Sequence, residues 1–224
     1  MGISIVIPAL DESDALPALL GDLQGLRHAG AELIVCDGGS TDGTPGLARP
    51  LCDRVIAAPS GRALQLNAGA AAARGDPLVF LHADSRIPEP AAALLGALGS
   101  DEGWGFFPVR LDGASWLLPV VAASMGLRSR LSGIGTGDQG LFVSRRLFDA
   151  VGGFPSQPLM EDIEMCKRLR VQAWPRVPGV SIRGSGRRWD RDGALRTILL
   201  MWRLRLQYAL GADPVKLAQE YRGA

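Results

Sequence analysis

The sequence predicts an α/β fold: a central, mostly parallel sheet covered by helices on both faces. Three observations carry this. Short apolar, β-branched runs recur at ISIVIPAL (Ile3–Leu10), Glu32–Cys36, RVIAAP and PLVFL. Segments with helical spacing stand between them, and polar residues gather where the runs end. The 224 residues are 47% apolar and 21% charged, enough to bury a full core and most simply read as one domain.

Taken in order, Ile3–Leu10 is a strand and SDALPALLGDLQGL a helix, with Ser13 as its candidate N-cap. Glu32–Cys36 is a buried strand. It leads into a turn of Asp37, Gly38, Gly39, Ser40, Thr41, Asp42 and Gly43, then a helix through Ala48. RVIAAP is a third strand, and ALQLNAGAAAARG a helix for which Gly75 is the expected C-terminal cap. PLVFLHADS is a fourth strand that runs out into polar residues. Further on, GFFPVRL (Gly105–Leu111) and QGLFVSRRLF read as strands, the second leading to a helix and a GGF turn. Met160–Ala173 is a helix opened by Glu161 and Asp162, where the helix dipole favours negative charge. WLLPVVAASMGL (Trp116–Leu127) reads as a core helix, with an interfacial membrane segment as the alternative. In the tail, Leu195, Ile198, Leu199, Trp202, Leu206 and Leu210 form one stripe; packing against the body is expected, docking on a membrane the alternative.

Charge and cysteine usage exclude several classes. Twenty-four basic residues against twenty-three acidic ones give a net charge of +1, no general field for nucleic acid. Three dispersed cysteines and two histidines make a structural zinc site improbable and fit reduced thiols. No apolar run reaches the ~20 residues of a membrane span. A strand-like run begins within three residues of Met1 with no basic leader, so a cytoplasmic location is expected, with the inner membrane face as the alternative.

In an open parallel sheet, ligands bind beyond the carboxyl ends of the strands, where the loops converge. Strand one ends in Pro8, Asp11 and Glu12, strand two in Asp37 and its glycine turn, strand four in His82, Ala83 and Asp84. Three acidic loops around one crevice repel one another unless a cation or hydrogen-bond donors occupy it, and a metal–nucleotide ligand supplies both.

SIVIPALDE, VCDGGSTDGT, FLHADS and MEDIE, in that order, resemble the family 2 glycosyltransferases of GT-A fold over roughly residues 3–190. GDQG (Gly137–Gly140) and RRW (Arg187–Trp189) make the chain most similar to small soluble bacterial members. The resemblance implies a single GT-A domain with a nucleotide-sugar-binding half at 1–104, an acceptor and catalytic half at 105–192, and amphipathic helices at 193–224. It implies inverting transfer of a sugar from a nucleoside diphosphate sugar, UDP-linked by preference, to a hydroxyl acceptor. The acceptor is a small molecule, a glycan or a lipid-linked group.

In the family, Pro8, Glu12 and Asp37 surround the base and ribose, with Gly39 in the adjoining turn. Asp37 suits a ring N–H because a carboxylate accepts hydrogen bonds; an Asx-turn is the alternative. His82-Ala83-Asp84 stands where the family carries a DxD metal motif. Histidine in first place leaves Asp84 as chief ligand for Mg2+ or Mn2+, and Mn2+ also accepts imidazole from His82. Arg62, after Ser60-Gly61, is a candidate diphosphate contact, and Asn67 is expected to tie its helix to the strand-four loop. Met160-Glu161-Asp162 matches the family's xED motif, which makes Asp162 the general base and Glu161 its support. Asp138, Gln139, Arg187, Arg188 and Trp189 are expected on the acceptor side, with Arg187 and Arg188 alternatively on the diphosphate.

Rival readings fare worse. A related nucleotidyltransferase needs a basic glycine-rich loop after strand one, where this chain has the acidic PALDESD. The G-x-G-x-x-G of a dinucleotide enzyme and the GK[ST] of a phosphate-loop NTPase are both missing. A non-catalytic nucleotide-sugar binding module remains the alternative, and the intact Glu161-Asp162 pair speaks against it.

Overall fold

In the computed structural model, which describes residues 2–99 and 103–223, the chain begins with β1 (Ser4–Ala9), α1 (Leu16–Asp22), α2 (Gln24–His28), β2 (Glu32–Asp37), α3 (Thr44–Ala48), β3 (Arg54–Ala57), α4 (Arg62–Ala72), β4 (Leu78–Phe80) and α5 (Glu89–Gly96). β5 (Trp104–Phe106), β6 (Val109–Asp112), α6 (Leu118–Ser132), β7 (Leu141–Val143), α7 (Arg145–Ala150), α8 (Glu161–Gln172), β8 (Ile182–Ser185), α9 (Arg187–Asp192), α10 (Ala194–Ala209) and α11 (Pro214–Gly223) follow. A six-stranded sheet runs in the order β3-β2-β1-β4-β7-β5, and β6 and β8 form a separate parallel pair.

The first four strands are parallel, as the alternation of strand and helix requires. β7 runs antiparallel to both β4 and β5, so the sheet is mixed at one edge. The predicted strand Gly105–Leu111 is two strands in two sheets, because the chain turns at Phe107-Pro108 and proline cannot donate to a ladder. One apolar core lies between the sheet and α1, α2 and α5, centred on Ile5, Ile7, Leu19, Leu33 and Val79. A second lies on the other face between Val6, Ile34 and Phe80 and the helices α4, α7 and α8. α4 packs so closely that a side chain at Gly69 would collide with Val6 and Cys36.

Three expected caps and clips are placed differently. Ser13 does not cap α1; its amide donates to Asp42 Oδ2 at 2.9 Å, and α1 begins at Leu16. Gly75 does not cap α4, which ends at Ala72; it is buried where the backbone of Gly2 to Ser4 leaves no room for a side chain. Asn67 joins α4 to the GGF turn rather than to the strand-four loop, accepting from Phe154 N at 2.9 Å and donating to Phe154 O at 2.8 Å.

Both apolar helices of the second half depart from a core reading. Pro119 sits in the first turn of α6 and starts it, and only Leu118, Val121 and Ser129 of that helix are buried. Trp116, Val120, Leu127 and Leu131 face solvent. α10 packs through Leu204 against Met160, Ile163 and Leu217, which ties it to α8 and α11. Its predicted stripe lies on the other side, where Leu195, Leu199, Trp202, Leu206 and Leu210 are 62–79% exposed. The helix is apolar on two faces, and the pattern alone does not say which one the body takes.

Candidate active site

The ends of β1 and β2 are sewn together by their loops. Asp11 N donates to Ser40 Oγ and Glu12 N to Thr44 Oγ1, both at 2.9 Å, while Asp11 Oδ1 accepts from Thr41 N at 2.8 Å. Asp42 accepts from the Thr44 hydroxyl at 2.5 Å and from Ser13 N and Thr44 N, and these bonds hold its carboxyl well below the usual range. Asp11 takes a left-handed φ of 53° at the apex of this seam. Beneath it the buried Gln65 Nε2 donates to Ala9 O and Cys36 O, each at 2.8 Å, closing the two strand ends. Most polar residues of DGGSTDGT thus hold the loop that carries Glu12.

A cleft of about 490 Å3 opens beyond these strand ends, lined by Pro8, Glu12, Arg62, His82, Ala83 and Asp84 from the first half of the chain. Asp138, Asp162 and Trp189 of the second half line it as well, with Thr197, Met201, Leu204 and Arg205 of α10. Asp84 and Asp162, from opposite halves of the sequence, therefore border one space.

Asp37 and Gly39 are not among the lining residues. Asp37 is one strand away, paired with Ala9, and its carboxylate accepts from Gly39 N at 3.1 Å and Ser40 N at 3.2 Å. This is the Asx-turn geometry given as the alternative, and it engages mainly one of the two carboxylate oxygens.

His82 directs Nδ1 to Asp138 Oδ1 at 3.1 Å and packs its other ring nitrogen against Gly137. Burial alone would raise the Asp138 carboxyl, but the His82 hydrogen bond and nearby arginines bring it below the usual range. Among the described residues no three His, Cys, Asp or Glu side chains gather as a metal group. His82 and Asp84 both line the cleft, with the Nδ1 of His82 engaged by Asp138. What fits a cation is Asp84 with Glu12: Arg187 Nη2 lies 3.8 Å from Asp84 Oδ2 and 3.7 Å from Glu12 Oε2. Burial and the charge of Asp84 push the Glu12 carboxyl upward, against the pull of Arg187 and His82. Two carboxylates sharing one positive charge are the oxygen set that Mg2+ or Mn2+ takes together with phosphates and water.

The xED pair divides. Met160 adopts a left-handed φ of 64°, an uncommon state for a side-chain-bearing residue and one that concentrates at functional sites. Glu161 then turns inward, 1% exposed, and accepts from Arg62 Nη1 at 3.1 Å. Burial drives its carboxyl above the normal range and Arg62 only partly offsets this. Asp162 faces the cleft, with Oδ2 accepting from Gly137 N at 2.8 Å and Oδ1 from Ile163 N at 2.7 Å. Arg62, expected on the diphosphate, reaches the cleft but spends one donor on Glu161.

On the expected acceptor side, Asp138 and Trp189 meet the cleft and Gln139 does not. Gln139 is fully buried and accepts through Oε1 from Ser129 Oγ at 2.8 Å and Thr136 N at 3.0 Å, so it holds the GDQG turn together. Arg187 stands on the Glu12–Asp84 side, and the Arg188 side chain lies outside the described residues. Asp190 anchors α9 by accepting from Ala114 N and Ser115 N at 2.9 and 3.0 Å. Sequence reading missed Gln65, Thr44, Arg128 and Arg205. The seam residues were visible as a DGGSTDGT turn, whereas nothing in the sequence pairs α6 with α10.

Residues 4–95 match the model of glycosyl transferase family 2. The β-monoglucosyldiacylglycerol synthase of Synechocystis is 24% identical over 195 residues, 77% of this chain and 41% of the synthase. The chain thus spans well under half the length of that curated relative. Glucosyl-3-phosphoglycerate synthase of Mycobacterium tuberculosis, solved with Mn2+, UDP and glucosyl-3-phosphoglycerate, is 26% identical with a TM-score of 0.57, over 82% of this chain and 70% of its own. TarS of S. aureus, solved with UDP-GlcNAc, is 16% identical with a TM-score of 0.64, over 83% and 58% of the two chains. The resemblance drawn from the motifs is borne out over residues 4–95, and the fold is that of the GT-A glycosyltransferases.

Proposed function

With the match to glycosyl transferase family 2 over its nucleotide-side half as premise, we propose that this chain transfers a sugar from a nucleoside diphosphate sugar to a hydroxyl acceptor, with inversion and with a divalent cation. The observation that carries the reading is that Asp84 and Asp162, far apart in the sequence, border one cleft. Pro8, Glu12 and the β1 end hold the nucleoside, and Asp84 with Glu12 holds the cation. When bound, that cation neutralises charge developing on the leaving diphosphate. Mn2+ and UDP are the first choices to test, because the 26% identical synthase is solved with both.

Asp162 is the general base. It faces the cleft at the N-terminus of α8, and one base suffices when the hydroxyl attacks the anomeric carbon opposite the leaving group. Glu161 is a positioning residue: it lies beneath the cleft and holds Arg62 toward it. His82 keeps Asp138 in place on the acceptor side, and Trp189 offers a ring to an acceptor sugar. Thermal shift with a panel of nucleotide sugars, with and without Mn2+ or Mg2+, tests the donor, since a ligand that binds only the folded state raises Tm. A shift that appears with a nucleotide sugar only when metal is present supports the reading; no shift with any donor removes it.

We also propose peripheral contact with an anionic membrane through α10. The stripe of exposed leucines around Trp202 is that of an interfacial helix. Between residues 193 and 223 the basic residues are Arg196, Arg203, Arg205, Lys216 and Arg222, against Asp213 and Glu220 alone, in a chain whose net charge is only +1. Arg203 shares its charge with Glu220 and Arg205 faces the cleft; α10 itself carries no acid. The opposite face of α10 lines the cleft, so docking sets the cleft one helix diameter, ~10 Å, from the lipid surface. Flotation with phosphatidylglycerol-containing vesicles is expected for the wild type and lost in Trp202→Ser/Leu206→Ser. Vesicle-independent dimerisation through this stripe, seen by light scattering, would contradict it.

A further inference from the structure

Two arginines, Arg205 lining the cleft and Arg128 within reach of its charge, make no ion pair among the described residues. Arg205 of α10 faces the cleft beside Asp162, half-buried, and among the described residues it makes no hydrogen bond or ion pair. Arg128 of α6 donates from Nη2 to Ser129 Oγ at 3.1 Å, a neutral acceptor, while its buried Nε has no partner. Burial and the charge of Arg205 push Arg128 down to about 10, and burial lowers Arg205 as well, against the pull of Asp162; a guanidinium keeps its charge at neutral pH. The acids that face them are Asp162 and Asp138, which answer to other groups: Asp162 accepts from Gly137 N and Ile163 N, and Asp138 pairs with His82. Two desolvated, mutually repelling guanidinium groups with an unmet buried N–H lack an anion at this position.

We propose that Arg128 and Arg205 form a subsite for a phosphate group carried by the acceptor. Arginine presents a planar fork of donors that matches phosphate oxygens, and a phosphate monoester near −2 answers two positive charges where a single carboxylate leaves one unmet. Held there, the phosphate anchors the acceptor next to Asp162, the residue assigned to take its hydroxyl proton. This role rests on the transferase reading above; the subsite itself does not need it. The donor's diphosphate is the other source of the same chemistry, and it is expected instead on the Asp84 side, across the cleft.

The test is calorimetric titration of the full chain with inorganic phosphate, alone and with saturating UDP and Mn2+. Phosphate is expected to bind in both conditions. Arg205→Gln and Arg128→Gln should each weaken it about tenfold or more, Arg205→Lys less, with UDP affinity unchanged in all three. Arg205 has no protein partner to lose, so its two variants decide the outcome if Arg128→Gln does not fold. Absence of phosphate binding, or unchanged binding in Arg205→Gln, overturns the subsite. Displacement of phosphate by UDP together with loss of UDP affinity in Arg205→Gln assigns the arginines to the donor and overturns it as well. If no nucleotide binds while phosphate does and depends on Arg205, the subsite stands and the transferase reading fails.

Discussion

The two walls of the cleft are built on different physics. The strand-end wall is held by short directional bonds between backbone amides and the side chains of Asp11, Ser40, Asp42, Thr44 and Gln65. The helical wall is held by apolar packing of Leu204 and Leu217 on Met160 and Ile163, and of the charges it offers the cleft Arg205 makes no hydrogen bond or ion pair among the described residues. The first wall is preformed, which suits a nucleotide that must be met by fixed groups. The second keeps a guanidinium available for a ligand, which suits the partner that varies between transferases.

Variants should separate the walls. Asp162→Asn carries the largest expected effect, a fall in turnover of about 10²–10⁴ with donor binding intact, read by single-turnover kinetics against nucleotide titration. Next, Gln65→Leu leaves two buried carbonyls without a donor. It should cost about 1–3 kcal/mol in urea unfolding and weaken the nucleotide, while phosphate binding at Arg205 is spared. Thr44→Val, which removes the acceptor for Glu12 N, is expected to cost about 1 kcal/mol by the same measurement.

A smaller effect lies in the acid limb. Asp42 is depressed in the folded state, so its stabilisation is present above the ordinary carboxylate range and fades as the pH falls through and below it. Asp42→Asn should flatten the dependence of stability on pH there. Glu161 has the opposite sign: its raised carboxyl favours the fold at acid pH, and that contribution is lost as the pH rises through its folded value. Glu161→Gln should therefore remove a decline in stability on the way to neutral pH. An Asp42→Asn protein that keeps the wild-type slope would show that the seam contributes nothing to that limb.

This contrast also explains what could be read in advance. ISIVIPAL, ELIVC and PLVF announce parallel strands because a strand buried on both faces must be continuously apolar. Asp84 and Asp162 were legible because a strand end and a helix start are places where chemistry gathers. Asp37 was legible as a turn or a ligand group, since one carboxylate can serve both, and the Gly39 and Ser40 amides show the turn. Gln139 misled, a polar residue in a glycine-rich turn that turned out to hold the turn itself. The stripe on α10 was legible as a stripe but not as a surface, since Leu204 and Met201 compete with it for the body. Arg128 and Arg205 lie on helices with no local signal that they meet.

The most direct measurement of the account is titration of the wild type, Asp84→Ala and Asp162→Asn with UDP, and with GDP in parallel, each with and without Mn2+. Metal-dependent nucleotide binding is expected in the wild type, lost in Asp84→Ala and retained in Asp162→Asn, with sugar transfer abolished in the latter. Equal metal-dependent binding by the wild type and Asp84→Ala, or undiminished transfer by Asp162→Asn, would contradict that expectation.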